Sequence, residues 1–202
     1  MEAGTGASGA GGRERILRAA YARFLEAGYA AASMQQIADA AGVNKATLYH
    51  HFRDKEDLFR EVVRLSFVRA HEALAAAIAQ GASLREKLLA LASHLFSAER
   101  ADLHRLASDL RQHLPPEQAR VVWQDLPPPW TYLERAIGEG IARGELAPLD
   151  AEIAARVCLA ALMGQVQFAK FEAAARPPDM ELAAEVVEIL LKGLEARAGE
   201  PA

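Results

Sequence analysis

Apolar residues recur at helical spacing along most of the chain. Between Arg13 and Ala27 they form adjacent pairs every four residues, and Gly28 follows as a C-terminal stop. Similar patterns predict a helix that opens at Ser33, a short one after Asn44 and a longer one after Asp54. No stretch longer than four residues alternates as a strand does. We therefore expect an all-α fold.

The helical pattern continues to the C-terminus, with one interruption. The interruption follows Pro115-Pro116 and extends to Pro129, where clustered prolines predict the least regular segment of the chain. The first twelve residues are mostly Gly, Ala, Ser and Thr, which predicts a flexible tail. The remaining predicted helices span about residues 83–96, 98–113, 130–143, 150–175 and 179–197.

The last two predicted helices are apolar on two sides. Such a helix is either central in its own domain or shared with a partner. The small residues Ala160 and Gly164 permit close approach of two backbones, so we expect this pair of helices to form a homodimer interface. The alternative is that both helices are central in a monomer. The predicted interface residues are Ile153, Val157, Ala160, Gly164, Phe168, Phe171, Leu182, Val186, Ile189 and Leu190.

The charge is distributed unevenly along the chain. The net charge is −4, yet Arg13 to Arg60 contains eight Lys/Arg against six Asp/Glu. A general polyanion binder is basic throughout, so any contact with nucleic acid should use a small local face. The single cysteine, Cys158, excludes an internal disulfide, and no apolar stretch approaches the ~20 residues of a membrane span. Without a signal peptide, we expect a cytoplasmic protein with no membrane contact.

Ser33 to Phe52 has the sequence shape of a helix-turn-helix. One helix ends at Gly42, and the next is too short and too polar on its outer face to serve packing alone. When Leu48 and Phe52 point inward, the outer face is small, polar and hydrogen-bonding. Such a face suits the major groove of double-stranded DNA, which is about 12 Å wide and admits a helix.

The chain resembles the tetracycline-repressor (TetR) family at this point. The resemblance covers about fifty residues and is carried by the run from Gly42 to Phe52, followed by Asp54, Lys55 and Glu56. It implies a three-helix DNA-binding head over residues 13–60. It also implies a larger helical domain over residues 61–202 that binds a small ligand and dimerises.

The resemblance further implies roles for single residues of the head. Lys45 approaches a base edge or phosphate, Ala46 and Thr47 contact thymine methyls, and Tyr49 and His50 donate to phosphate oxygens. The matching DNA-binding positions are Ser33, Gln35, Lys45, Ala46, Thr47, Tyr49, His50 and Lys55.

Several of these residues also have simpler interpretations. Ser33 is equally explained as a helix N-cap. Gln35 stands where some relatives have a base-reading arginine, so it suits adenine rather than guanine. Tyr49 is alternatively a plug between helices. The resemblance implies that Lys55 contacts a phosphate, and the alternative is a solvated charge. Arg13 is either a minor-groove contact or a surface residue.

Together these features predict a ligand-responsive repressor. It would bind a near-palindromic operator as a homodimer and be released by a small, hydrophobic effector, without a cofactor or metal. The candidate pocket residues are Phe96, His104, Trp123, Trp130, Tyr132 and Phe168. The alternatives are an architectural DNA-coating protein and a helical enzyme; the sequence holds no recognisable catalytic motif, which disfavours the enzyme.

Overall fold

A computed structural model describes residues 6–171 and 178–194, and there the chain contains ten α-helices and no β-strand. The all-α prediction is confirmed. None of these helices is long and apolar enough to span a membrane. The helices are α1 Gly6–Ala31, α2 Met34–Ala41, α3 Lys45–His51, α4 Lys55–Gln80, α5 Leu84–Phe96, α6 Ala98–His113, α7 Pro116–Trp123, α8 Thr131–Ala142, α9 Ala151–Phe171 and α10 Met180–Leu194.

The ends of α2 and α3 follow directly from their capping residues. The Ser33 hydroxyl accepts from the Gln36 amide while the Gln36 side chain accepts from the Ser33 amide, which is the predicted capping box. Gly42 ends α2 in the left-handed region at φ 63°, where a side chain would be strained. Asn44 then caps α3 by accepting from the Thr47 amide at 2.7 Å. These contacts fix a tight turn between the two helices.

The first helix is longer than predicted in both directions. Residues 6–12 of the predicted tail are helical and continue α1 towards the N-terminus, although four of the seven are glycines. The other part of that prediction, residues 1–5, lies outside the described residues. Gly28, at φ 76°, interrupts the helix as predicted, although a further turn continues to Ala31.

The segment from Pro116 to Pro129 was predicted as irregular; this is wrong for its first half, whereas residues 124–129 are not helical. The first half forms α7, with Pro115 as the N-cap residue and Pro116 in the first turn. Proline fits there because its missing amide hydrogen has no partner in a first turn in any case. The predicted ends of the last two helices, at Ala175 and Arg197, lie outside the described residues.

The described chain divides into two compact units, and the first comprises residues 6–69 and 101–126. Phe24, Tyr29 and Phe59 form an aromatic centre, with ring centroids 4.7 Å apart for Phe24 and Phe59 and 4.8 Å for Tyr29 and Phe59. Side chains of α6 that are also buried in this unit are Leu103, Leu106 and Leu110. We predicted a boundary near residue 60, but the packing instead places part of α6 and all of α7 with the head.

The second unit comprises residues 70–100, 127–171 and 178–194. Leu88, Leu91, Leu133 and Leu162 are fully buried in its apolar core. The helix α9 contributes only one face to this core. Its buried residues are Ala154, Ala155, Cys158, Leu159 and Leu162.

Candidate nucleic-acid interface

One side of the helix α3 is buried, and the opposite side is exposed. Leu48 has no accessible surface and Phe52 is almost completely buried. Lys45, Ala46 and His50 are exposed on the opposite side. The predicted orientation of the helix is therefore the one the structure shows.

The exposed side of α3 offers a cation, an aromatic ring and a methyl group. Lys45 Nζ lies 5.9 Å from the centroid of the Tyr49 ring. Tyr49 is 44% exposed, so it does not fill a gap between helices. The Thr47 hydroxyl donates to Asn44 Oδ1 at 2.9 Å, so its hydrogen is already used. Thr47 therefore presents its methyl group and an oxygen acceptor to solvent.

The polar residues at the start of α2 take part in local hydrogen bonds. The Ser33 oxygen accepts within the capping box, which leaves its hydroxyl hydrogen available to a phosphate. Gln35 Nε2 donates to Asp39 Oδ1 at 2.8 Å. The carboxamide nitrogen carries two hydrogens, so the second hydrogen and the side-chain oxygen of Gln35 stay available for a base.

Lys55 occupies a structural position that its sequence pattern did not indicate. Its ammonium donates to the backbone oxygens of Tyr29 at 2.9 Å and Ala32 at 3.0 Å, with Ala30 O farther away at 3.4 Å. It also lies 4.4 Å from the centroid of the Tyr29 ring. An ammonium has three hydrogens, and these carbonyls occupy them. Contact of Lys55 with phosphate therefore stays a prediction. It would require the ammonium to break these hydrogen bonds.

Arg13 is likewise bound within the protein. It pairs with Glu61 at 2.6 Å, and its guanidinium lies 5.4 Å from the centroid of the Phe52 ring. The Arg13 and Arg64 guanidiniums both donate to Glu61, and the bond from Arg64 is the main reason why the pKa of Glu61 lies below its usual range. Arg13 thus links α1, α3 and α4 rather than extending towards DNA.

A further contact was missed by the sequence analysis altogether. The Tyr29 amide donates to Asp109 Oδ2 of α6 at 2.8 Å, and the Tyr29 ring stacks on His113 with centroids 5.1 Å apart. Near the same helix end, the Leu25 carbonyl accepts from Arg105. These contacts tie the end of α1 to α6 within the first unit. They join residues some eighty positions apart, so no local sequence pattern could have shown them.

The predicted pocket residues are distributed over both units. Trp123 packs edge-on against Phe67 in the first unit, with centroids 4.3 Å apart, and His104 lies in the same unit. The others lie in the second unit, where Phe96, Trp130 and Tyr132 pack partly buried against the core and Phe168 is 64% exposed. Within the described part of the chain, no three His, Cys, Asp or Glu side chains are placed to hold a metal ion.

The predicted dimer face includes several large apolar side chains that are exposed. Ile153, Val157 and Phe168 on α9 and Ile189 on α10 are between 54% and 71% exposed. With Leu149 and Leu190, several of them line an apolar groove. The Phe171 side chain lies outside the described residues. The remaining predicted residues range from exposed Ala160 to half-buried Gly164, Leu182, Val186 and Leu190.

Two helices joined by a tight turn, with the second helix exposed, are the defining feature of helix-turn-helix proteins. Residues 16–62 match the profile of the family described as bacterial regulatory proteins, tetR family. This part of the chain is similar to the TetR family.

Curated transcriptional regulators are similar to part of the chain. The HTH-type transcriptional regulator AcrR of Shigella flexneri is 44% identical over 54 residues, which are 27% of this chain and 25% of AcrR. The matches to the first curated relatives thus span about a quarter of their lengths.

Similarity to solved structures extends over nearly the whole chain. A TetR-family regulator from Mesorhizobium loti has a TM-score of 0.75 at 23% identity, covering 93% of this chain and 98% of that protein. The regulator FadR of Bacillus subtilis, solved in complex with stearoyl-CoA, has a TM-score of 0.64 at 26% identity, covering 89% of this chain and 98% of FadR.

Proposed function

We propose that the protein is a ligand-responsive transcriptional repressor that binds a near-palindromic operator as a homodimer. The observation that carries the proposal is the exposed face of α3, where Lys45, Thr47, Tyr49 and His50 surround a side chain as small as Ala46. Small side chains let the helix approach base edges, and the flanking donors reach phosphate oxygens. Two such helices would lie about 34 Å apart, or a multiple of it, to meet successive turns of the duplex.

The homodimer is supported by the exposed apolar side chains of α9 and α10. Val157 is 54% exposed and Ile153 60%, although the opposite face of the same helix is buried. Contiguous exposed apolar surface of this kind marks an interaction site. A two-fold axis through it would bring the same residues of two copies together, as a self-complementary interface requires.

Release by an effector is supported by the contacts between α1 and α6. Asp109 and His113 of α6 hold Tyr29 at the end of α1. A ligand that favours a different position of α6 would therefore act on the helix that supports the recognition helix. A coupling free energy of ~1 to 3 kcal/mol is enough to change operator affinity about 5- to 150-fold.

The operator is identified by selecting bound sequences from a pool of random duplexes. We expect a near-palindromic site. Lys45→Met and Thr47→Ser, which removes the methyl group and keeps the hydroxyl, should each change the base preference within a half-site. Lys192→Met removes an exposed lysine from α10 and serves as the matched control, with unchanged preference expected. Uniform binding with no preferred sequence would instead support the architectural alternative and contradict the repressor.

The dimer is tested with two matched valine substitutions. Val157→Glu places a charge on the α9 face, whereas Val121→Glu places one on α7, where the valine is 44% exposed. Sedimentation velocity should show that the first variant dissociates to monomers and the second stays dimeric. A Val157→Glu protein that sediments as a dimer would exclude this face as the interface.

A further inference from the structure

Arg100, in the second unit, differs from other half-buried arginines in the hydrogen bonding of its side chain. It lies in the first turn of α6, and its Nε is fully buried with no hydrogen-bond partner. Other half-buried arginines, such as Arg60 and Arg64, pair with carboxylates at 2.7 to 2.8 Å. No described residue provides such a partner for the Arg100 side chain. Burial alone lowers the pKa of its guanidinium, with no opposing carboxylate.

Two histidines accompany this arginine. Burial first, and then the positive charge of Arg100, hold the pKa of His94 below its ordinary value, and His71 acts in the same direction. Among the residues that the structure describes, the acidic group that opposes these effects is Glu99, which is exposed. We call Arg100, His94 and His71 the basic cluster. The Tyr132 ring borders it, with its centroid 6.3 Å from that of His71.

The buried Nε of Arg100 is costly, because this N–H group has lost water and gained no hydrogen-bond partner. The first turn of a helix adds to this cost, since the positive end of the helix dipole repels a cation there. An anion in the same place would gain from the guanidinium and from the helix dipole. The basic cluster is therefore suited to a negatively charged group.

We propose that Arg100 binds an anionic group, a carboxylate or a phosphate, of the small effector. This inference rests on the proposed function, because it names the chemistry of the effector that the regulator responds to. The guanidinium fork matches either oxyanion in a bidentate manner. His94 and His71 complete the site, and Tyr132 forms part of its wall.

The test compares ligands that share one alkyl chain and differ in the head group. Dodecanoate, dodecyl phosphate and dodecanol are titrated by calorimetry into the full-length protein, below their micellar concentrations. We expect at least one of the two anions to bind at least tenfold more tightly than the alcohol, and their relative affinity separates a carboxylate from a phosphate. Arg100→Met should abolish this preference, whereas Arg111→Met, which removes an exposed arginine from the same helix, should preserve it.

A second measurement covers the case in which Arg100→Met is poorly folded. Arg100→Lys keeps the positive charge and loses the fork, so it should retain part of the preference for an anion. Equal affinity of all three ligands for the unmodified protein, or no binding by either anion, would overturn the inference. So would an undiminished preference in a folded Arg100→Met variant.

Operator binding is measured separately, on the same proteins without ligand. Arg100→Met should bind the selected operator as the unmodified protein does. If an anion binds through Arg100 but no variant recognises a specific operator, the proposed function fails while the anion site stands. If the operator is bound specifically and the ligands show no preference for a charge, only the inference about Arg100 fails.

Discussion

Replacing Lys55 with methionine tests whether this lysine stabilises the fold or binds DNA. Methionine keeps the unbranched stem and removes the ammonium. Hydrogen bonds from a charged donor contribute about 1.5 kcal/mol or more each, and Lys55 makes two short ones, to Tyr29 O and Ala32 O. The contact with the Tyr29 ring adds about 0.5 to 1 kcal/mol. Ordering the side chain offsets up to about 2 kcal/mol, which leaves a net loss of about 2 kcal/mol.

Thermal unfolding followed by circular dichroism measures this loss. For a chain of this length, about 2 kcal/mol corresponds to a melting temperature lower by about 4 to 8 °C. Operator affinity measured at 20 °C, well below the transition, should stay within about threefold of the unmodified value. The dependence of affinity on salt should not change, because no phosphate contact is removed.

Lys45→Met is the control for the Lys55 variant. The Lys45 ammonium is exposed and lies 5.9 Å from the Tyr49 ring, so its loss should hardly affect the melting temperature. It should weaken operator binding and reduce the salt slope by about 1 if the contact is with phosphate. Lys55→Met could instead leave the melting temperature unchanged and reduce the salt slope by about 1. This result would refute the structural role of Lys55 and support its contact with phosphate.

Three further substitutions test the supports around the interface. Asn44→Ala removes the N-cap of α3, so thermal unfolding should show a loss of about 1 kcal/mol, and no loss would mean that the cap is dispensable. Asp109→Asn weakens the bond to the Tyr29 amide by about 1 kcal/mol and should reduce the response of operator affinity to effector; an unchanged response would exclude this link. The pKa of His94 is lowered by burial and by Arg100, so the unfolded chain binds more protons and stability falls as the pH drops below about 6.5. His94→Asn should reduce the difference between melting temperatures at pH 7.5 and pH 5.5, and an equal difference would contradict this assignment.

Local signals predicted the parts of the fold that local contacts determine. Ser33 and Gly42 identify α2 because both capping interactions join residues within a few positions of each other. The prolines around α7 misled the prediction because proline breaks a helix only beyond the first turn. The grouping of α6 with the head was not predictable, since it depends on contacts such as Tyr29 with Asp109, 80 residues apart.

The same distinction applies to the candidate interface. The outward face of α3 was predictable, because burying Leu48 and Phe52 leaves the positions of Ala46 and His50 no other direction on a helix. The position of Lys55 was not. Its ammonium bonds to carbonyls 23 to 26 residues earlier, and the local sequence around Lys55 looks the same whether the lysine faces DNA or a helix end.

The face of α9 that stabilises the fold lies opposite the face that we propose for association. Leu159 and Leu162 are buried in the core of the second unit, so their contribution to folding exists in a single protomer. Ile153 and Val157 contribute little to that core, because more than half of each side chain is exposed. Roughly 25 cal/mol is gained for each Å² of apolar surface removed from water, and for these two residues most of that gain is available only through a partner. Selection for folding alone would therefore not keep large apolar side chains at these positions, whereas selection for assembly would.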